Sequence, residues 1–293
     1  MSAAPLRWRV GDVAITQIVE SSGSSPPGFL FADLSAEQVR SHAWLRPHFA
    51  TAEGRLIASI HAFVVESCGR TIVVDTCVGN DKQRALAAWS QLHGPFLRDF
   101  AAAGFAPERV DVVVCTHFHS DHVGWNTRLA NGRWVPTFPN AQYVFSKEEY
   151  AQYQPENVRP ESPPLFMYSY QDSVLPVIES GQALIVSGEH QVNEILTVLP
   201  SPGHTPGHVT IRAADGNQAG LFLGDVIHNP VQIADPDLNS AYCEIPDVAR
   251  RSRRQLLERA VDTNALLVPG HFLAPHVGRV AREDDHYRFI AGT

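Results

Sequence analysis

Lysine is almost missing from this chain of 293 residues: only Lys82 and Lys147 occur, and the other basic residues are arginines. With 23 Lys+Arg against 31 Asp+Glu, the formal charge is −8. Phosphate backbones are bound by clustered Lys and Arg, so nucleic acid is not an expected partner. One Arg-rich run, Arg250, Arg251, Arg253, Arg254 and Arg259, falls on an expected helix and reads as a solvated face. Cysteine is also scarce. Cys68, Cys77, Cys115 and Cys243 are scattered without a C-x-x-C pair, which excludes a disulfide framework and fits buried free thiols beside apolar strands. No apolar run approaches the ~18–20 residues that would span a bilayer. Met1 to Val13 carries Arg7 and Arg9 but no apolar signal-peptide core. The expectation is a soluble protein of the cytoplasm that does not engage membranes. Hydrophobic residues make up 44 % of the chain and charged ones 18 %, enough apolar content to build a core without staples.

What is present reads as strands in groups with helices between them. Val13–Glu20 is an expected strand, closed by a Ser/Gly/Pro turn over 21–28. Ser59–Glu66 and Thr71–Asp75 form two adjacent strands around a turn at Cys68-Gly69-Arg70. A helix covers much of Leu92–Ala103 and stops at Gly104. Val110–Cys115 is nearly all apolar and reads as a buried strand. Gln142–Phe145 runs into a helix capped by Ser146, with Glu148 and Glu149 in its first turn. Gln154–Pro176, rich in Pro, Tyr and Ser, reads as a long surface segment. Leu196–Leu199, His208–Ala213 and Leu221–Leu223 are strands, Asp247–Val261 is a helix, and Ala265–Val268 is a last short strand. Two helix-covered sheets in one domain, 1–293, is the expected architecture.

The densest chemistry is His117-Phe118-His119-Ser120-Asp121-His122, directly after the buried strand. Alternate residues of an extended segment point the same way, so His117 and His119 aim at one point, while Asp121 and His122 reach a second point close by. Imidazole and carboxylate are ligands that divalent cations such as Zn²⁺ favour. Further candidates sit at expected strand ends: His204 in Ser201-Pro202-Gly203-His204-Thr205-Pro206-Gly207-His208, Asp225 after Leu223-Gly224, and His271 after Val268-Pro269-Gly270.

H-x-H-x-D-H followed by G-H-T-P-G-H, G-D and P-G-H resembles the metallo-β-lactamase-fold hydrolase superfamily, over about Ile60 to His271. The resemblance implies an α/β fold, an αββα four-layer sandwich with metals at the edge between two sheets. It implies two divalent metal ions: His117, His119 and His204 on one, Asp121, His122 and His271 on the other, with Asp225 bridging. Zn²⁺ is the default, and Mn²⁺, Fe²⁺ or Co²⁺ would tolerate the same five-His, two-Asp set. Asp75 matches the strand-end aspartate that supports a ligand in the family. Two cations ~3.5–4 Å apart lower the pKa of a shared water toward ~7, and the resulting hydroxide attacks an acyl or phosphoryl centre. Asp121 is then the candidate proton carrier.

Lactonases that open acyl-homoserine lactones resemble this chain in all seven ligands, and they typically place a Tyr three residues after the bridging Asp. Here that residue is His228. Gly-Asp-x-x-His with Val231-Gln232 nearby looks more like organophosphate hydrolases of the methyl parathion type and their lactonase or esterase relatives. His228 is the second catalytic candidate, donating to substrate or orienting a ligand. The expected substrate is a small ester, lactone or phosphotriester. The alternatives are β-lactam or thioester hydrolysis and, from another class, iron-dependent oxidoreduction on the same fold. Trp125, Phe118, Phe166, Tyr168 and Tyr170 are candidate pocket walls or core residues, and 26–31, with Phe29 and Phe31, is a candidate homodimer surface.

Overall fold

A computed structural model describes residues 5–154, 156–157, 169–273, 277–284 and 286–292. Two seven-stranded sheets carry the fold. The first runs in the order β1 (Arg7–Val10), β2 (Val13–Ser25), β3 (Leu56–Ser67), β4 (Arg70–Val74), β5 (Val112–Val114), β8 (Gln142–Ser146) and β9 (Ala183–Val186). The second runs β10 (His190–Gln191), β11 (Leu196–Pro200), β12 (Val209–Asp215), β13 (Gln218–Phe222), β14 (Leu266–Val268), β15 (Gly278–Glu283) and β16 (His286–Ala291). A small ribbon, β6 (Thr127–Ala130) with β7 (Arg133–Pro136), stands apart.

Strand periodicity explains the layering. In β3, Phe63 and Val65 enter the core between the sheets, while Ala62 and Val64 face the helices outside. The β4, β5 and β8 strands repeat the division, with Val74, Val114 and Val144 inward and Val73, Val113, Tyr143 and Phe145 outward. These strands are buried on both faces, which is why they read as continuous apolar runs. In the second sheet, Phe222, Leu266 and Val268 face the first sheet, and Leu221, Leu223 and Leu267 face outward. The outer layers are helical. Phe96 and Phe100, four residues apart on the helix Phe96–Ala102, cover the first sheet with Val174 and Val177. Leu256, Leu257 and Ala260 of the helix Pro246–Asp262 cover the second. The order is helix, sheet, sheet, helix, as expected for the four-layer sandwich. Among the described residues no helix is long and apolar enough to cross a membrane.

Several local expectations are corrected. The 21–28 stretch is not a turn: β2 continues to Ser25, pairing with the long β3 across a register shift between Val19 and Ser21. The ladder on offer from β3 outweighs the weak strand preference of Ser and Gly. The helix expected over much of Leu92–Ala103 spans Phe96–Ala102, after Pro95, and ends before Gly104, whose φ is +100°. The chain does not finish its sheet at β14, because β15 and β16 extend it. Of the expected surface segment, residues 169–176 are instead a π-type turn (Tyr170–Val174) leading into the helix Leu175–Glu179, with Tyr170 and Val174 in the core. Most of that segment, with Phe166 and Tyr168, lies outside the described residues.

The Arg run is not a uniformly solvated face. Arg253 lies on the buried stripe of its helix with Ala249 and Leu256, and donates to the carbonyls of Val226 (2.8 Å), Pro236 (2.7 Å) and Leu238 (3.0 Å). Lys82, one of the two lysines, is buried as well. Its Nζ bonds Thr127 Oγ1 at 2.7 Å, sits 3.8 Å from the centre of the Trp134 ring, and lies beside Asp172, which Arg84 grips through both oxygens. Cys77 and Cys115 are buried thiols, whereas Cys68 is exposed at its turn.

Candidate metal centre

The parallel pairs β4–β5 and β13–β14 bring the C-terminal ends of their strands to one edge. Asp75 follows β4, and His117 to His122 follow β5. From the second sheet, His204 follows β11, Asp225 follows β13 and His271 follows β14. All seven expected ligands converge there. His117, His119, His204 and Asp225 form one group whose ligand atoms lie within 4.8 Å of one another, and Asp121, His122 and His271 form a second.

Asp225 stands between the two groups and divides its carboxylate. Oδ1 lies 2.9 Å from His271 Nε2 and 3.2 Å from His122 Nε2; Oδ2 lies 3.1 Å from His204 Nε2 and 3.7 Å from His117 Nε2. A left-handed residue makes this approach: Gly224 has φ +48°, and a Cβ there would meet His208 Nε2 at 2.5 Å. Asp121 is the more open member, with Oδ2 3.8 Å from the Nε2 atoms of His122 and His271.

The surroundings fix which nitrogen faces the centre in two of the rings. Asp75 Oδ2 accepts from His122 Nδ1 at 2.9 Å, and the Ser59 carbonyl accepts from His271 Nδ1 at 3.1 Å, so both present Nε2 inward. Asp75 also accepts from the Thr116 backbone N–H (2.8 Å) and hydroxyl, tying β4 to the loop that starts with His117. Burial holds the His117 and His204 rings well below the usual imidazole range and takes His119 down to about 4, leaving them as neutral donors of lone pairs. Burial acts the same way on His122 and His271, but the carboxylates of Asp225 and Asp121, and Asp75 for His122, outweigh it and raise both. Asp225, which burial alone would raise, is held well below the carboxylate range by His122, His271, His228 and His204.

The donor set fits metal ions. His117 Nε2, His122 Nε2 and Asp225 Oδ1 are buried without an aligned hydrogen bond among the described residues. Neutral imidazoles can pair, as His119 Nδ1 and His204 Nε2 do at 2.9 Å, but His117 Nε2 and His122 Nε2 find no aligned partner among the described residues, and charged rings this close repel. A divalent cation in each group resolves this.

His228 also belongs to the cluster. Its Nε2 is 3.1 Å from Asp225 Oδ2, its ring stacks on His271 with centroids 5.7 Å apart, and its backbone N–H donates to Gln232 Oε1 at 2.7 Å. His208 supports the site from behind. Its Nε2 accepts from the Asp225 N–H at 2.9 Å and its Nδ1 pairs with Ser201 Oγ at 2.9 Å, while burial lowers its pKa to about 3. The repeated Gly-His of its motif was the available signal. His61 braces the loop before His271 by bonding Ser59 Oγ and the Pro269 carbonyl, a contact between residues 208 apart that local sequence does not announce.

Three of the candidate pocket aromatics are among the described residues, and they take the core alternative. Phe118, Trp125 and Tyr170 are buried in the core under the first sheet, with Trp125 Nε1 donating to Glu20 at 2.7 Å. Of the candidate dimer surface, Phe31 is fully buried near His228, and Phe29 is half-exposed against Tyr242.

The chain is similar to known proteins at the level of this fold. A hydrolase of the beta-lactamase superfamily, AbOPH, superposes with a TM-score of 0.83 at 23 % identity over 100 % of this chain and 99 % of that one. AidC, described as a dizinc quorum-quenching lactonase in complex with a product, gives 0.79 at 19 % over 99 % and 98 %. An N-acyl homoserine lactonase of Bacillus cereus is 26 % identical over 122 residues, covering 41 % of this chain and only 39 % of that protein's length. The family model of the metallo-beta-lactamase superfamily matches residues 58–271, the stretch that carries all seven converging side chains, and the chain belongs to that superfamily.

Proposed function

We propose that the protein is a hydrolase with two metal ions that cleaves a small ester, lactone or phosphotriester. One observation carries this reading: Asp225 directs one oxygen to each of two ligand groups, as a carboxylate bridging two cations would. His117, His119 and His204 would hold one ion, Asp121, His122 and His271 the other. When bound, a pair of divalent cations supplies Lewis acidity toward the substrate oxygen and activates water at neutral pH. Zn²⁺ suits the donors best.

The chain's own residues supply the rest. Asp121, on the open side, is placed to take the proton of the attacking water and pass it to the leaving group. His228, against Asp225 Oδ2, is placed to donate to the oxygen on which charge develops. Likeness to the two lactonases supports a lactone within the substrate range. His228, rather than tyrosine, three residues after Asp225 supports phosphotriesters and simple esters beside it.

The test joins metal analysis to turnover on one purified sample. Aryl esters, γ- and δ-lactones, a phosphotriester and a β-lactam are assayed before and after chelation. About two metals per chain with chelator-sensitive cleavage is the expected result. A single redox-active iron per chain, with none of the panel hydrolysed, would overturn the reading in favour of an oxidoreductase.

A further inference from the structure

Ser146-Lys147-Glu148-Glu149 has the spacing with which a helix closes its own start: Ser caps, and a Glu three residues on reaches back to the cap. Half of that device forms, since Ser146 Oγ accepts from the Glu149 N–H at 3.3 Å. The Glu149 carboxylate goes elsewhere. It is 1 % exposed, and no ion pair reaches it among the described residues. Oε1 accepts from the Phe118 N–H at 2.8 Å, and Oε2 accepts from the Thr205 hydroxyl at 2.6 Å and the Gly207 N–H at 3.2 Å.

Those donors belong to both loops of a single ligand group. Phe118 separates His117 from His119, and Thr205 follows His204. The contact is tight in the backbone too, since a Cβ on Gly207 would lie 1.9 Å from Glu149 N. Burying a carboxylate without a cation is costly, and a glutamate that served only its own helix would stay at the surface. The other ligand group is braced by different atoms, Asp75 on His122 and the Ser59 carbonyl on His271.

We propose that Glu149 is a positioning residue for one metal site: it sets His117, His119 and His204 on their ion and has no part in holding Asp121, His122 and His271. This rests on the two-ion reading. Replacing Glu149 by Gln keeps the volume and an acceptor for one loop, but turns an N–H₂ toward the donors of the other.

Zn²⁺ binding to the full chain, measured by competition with a chelator, is compared for wild type, Glu149→Gln, His204→Ala and His271→Ala. Glu149→Gln is expected to weaken about 10- to 100-fold the binding step that His204→Ala abolishes, and to leave unchanged the step that His271→Ala abolishes. Thr205→Val removes one donor alone and weakens the same step by less, which preserves the test if Glu149→Gln does not fold. Two unchanged steps, or two steps weakened equally, would overturn the proposal. If wild type binds one ion only, the two-ion reading fails. The Glu149 assignment then stands if Glu149→Gln weakens that ion and His204→Ala abolishes it, and falls otherwise.

Discussion

Replacing Asp75 by Asn is expected to remove metal before it removes the fold. Asp75 has φ +56°, a left-handed conformation that Asn tolerates better than most residues, so the backbone is not the issue. An Asn oxygen facing the Thr116 N–H keeps the 2.8 Å bond there and turns the amide N–H₂ toward His122 Nδ1. That ring must then accept at Nδ1 and carry its proton on Nε2, the atom 3.2 Å from Asp225 and aimed at the centre. A protonated nitrogen cannot bind a cation. Loss of such a supporting partner costs about 10- to 100-fold in metal affinity. The fold should lose only ~1–2 kcal/mol, the difference between charged and neutral acceptors. Asp75→Ala differs in kind, because it strands the Thr116 N–H and the His122 N–H in a buried place, while the Thr116 hydroxyl keeps His117 Nδ1 at 3.0 Å. At ~1–3 kcal/mol for each of these two unsatisfied groups, it should lose roughly 2–6 kcal/mol. Chelator competition for Zn²⁺ and urea unfolding of the metal-free proteins separate the two effects. Wild-type Zn²⁺ affinity in Asp75→Asn, or stability losses equal in the two variants, would refute this account.

His228→Asn should lower kcat by about 10²- to 10⁴-fold at unchanged metal content if the ring acts on substrate; loss of metal instead would make it a ligand-orienting residue. Arg253→Leu should destabilise by about 3–5 kcal/mol in urea unfolding, because three carbonyls lose a buried donor, and Arg253→Lys should rescue it poorly for want of the planar fork; a stability near wild type for Arg253→Leu would contradict this. Folding strips water from Lys82, beside Asp172, Arg84 and Asp81, and lowers its pKa from 10.5 to about 7. Between those values an unfolded Lys82 holds its proton more than a folded one, so its contribution to stability should rise with pH from 7 to 10.5, by up to ~5 kcal/mol. Lys82→Met should lack that rise, and parallel stability–pH curves for the two proteins would count against it.

The legible parts of the sequence were those where one local rule acts alone. Val112 to Val114 and Leu266 to Val268 are apolar on both faces and read as buried strands, with His117 and His271 soon after them, and Asp225 follows the strand Gln218–Phe222 at the left-handed Gly224. Where distant partners decide, the reading failed. Ser21 to Ser25 became strand because β3 offered a ladder, and residues 169–176 were drawn into the core by the first sheet's outer face. Arg253 was readable in hindsight from its place on the apolar stripe of its helix. Glu149 was not readable, because its spacing from Ser146 is that of an ordinary cap, and its true partners are 31, 56 and 58 residues away.

Each ligand group takes members from both sheets: His117 and His119 from one with His204 and Asp225 from the other, and Asp121 and His122 facing His271. Bound ions would therefore act as rivets through two plates, and the side chains between the plates set the gap that the rivets must fit. Packed sheets stand about 10 Å apart, and metal–nitrogen bonds tolerate only tenths of an ångström. Phe63 and Phe222, in contact across that gap with ring centroids 5.6 Å apart, are core residues and not members of either ligand group, yet they act as a spacer for the site. Trimming either one would loosen the fit of the ions while every ligand remained in place.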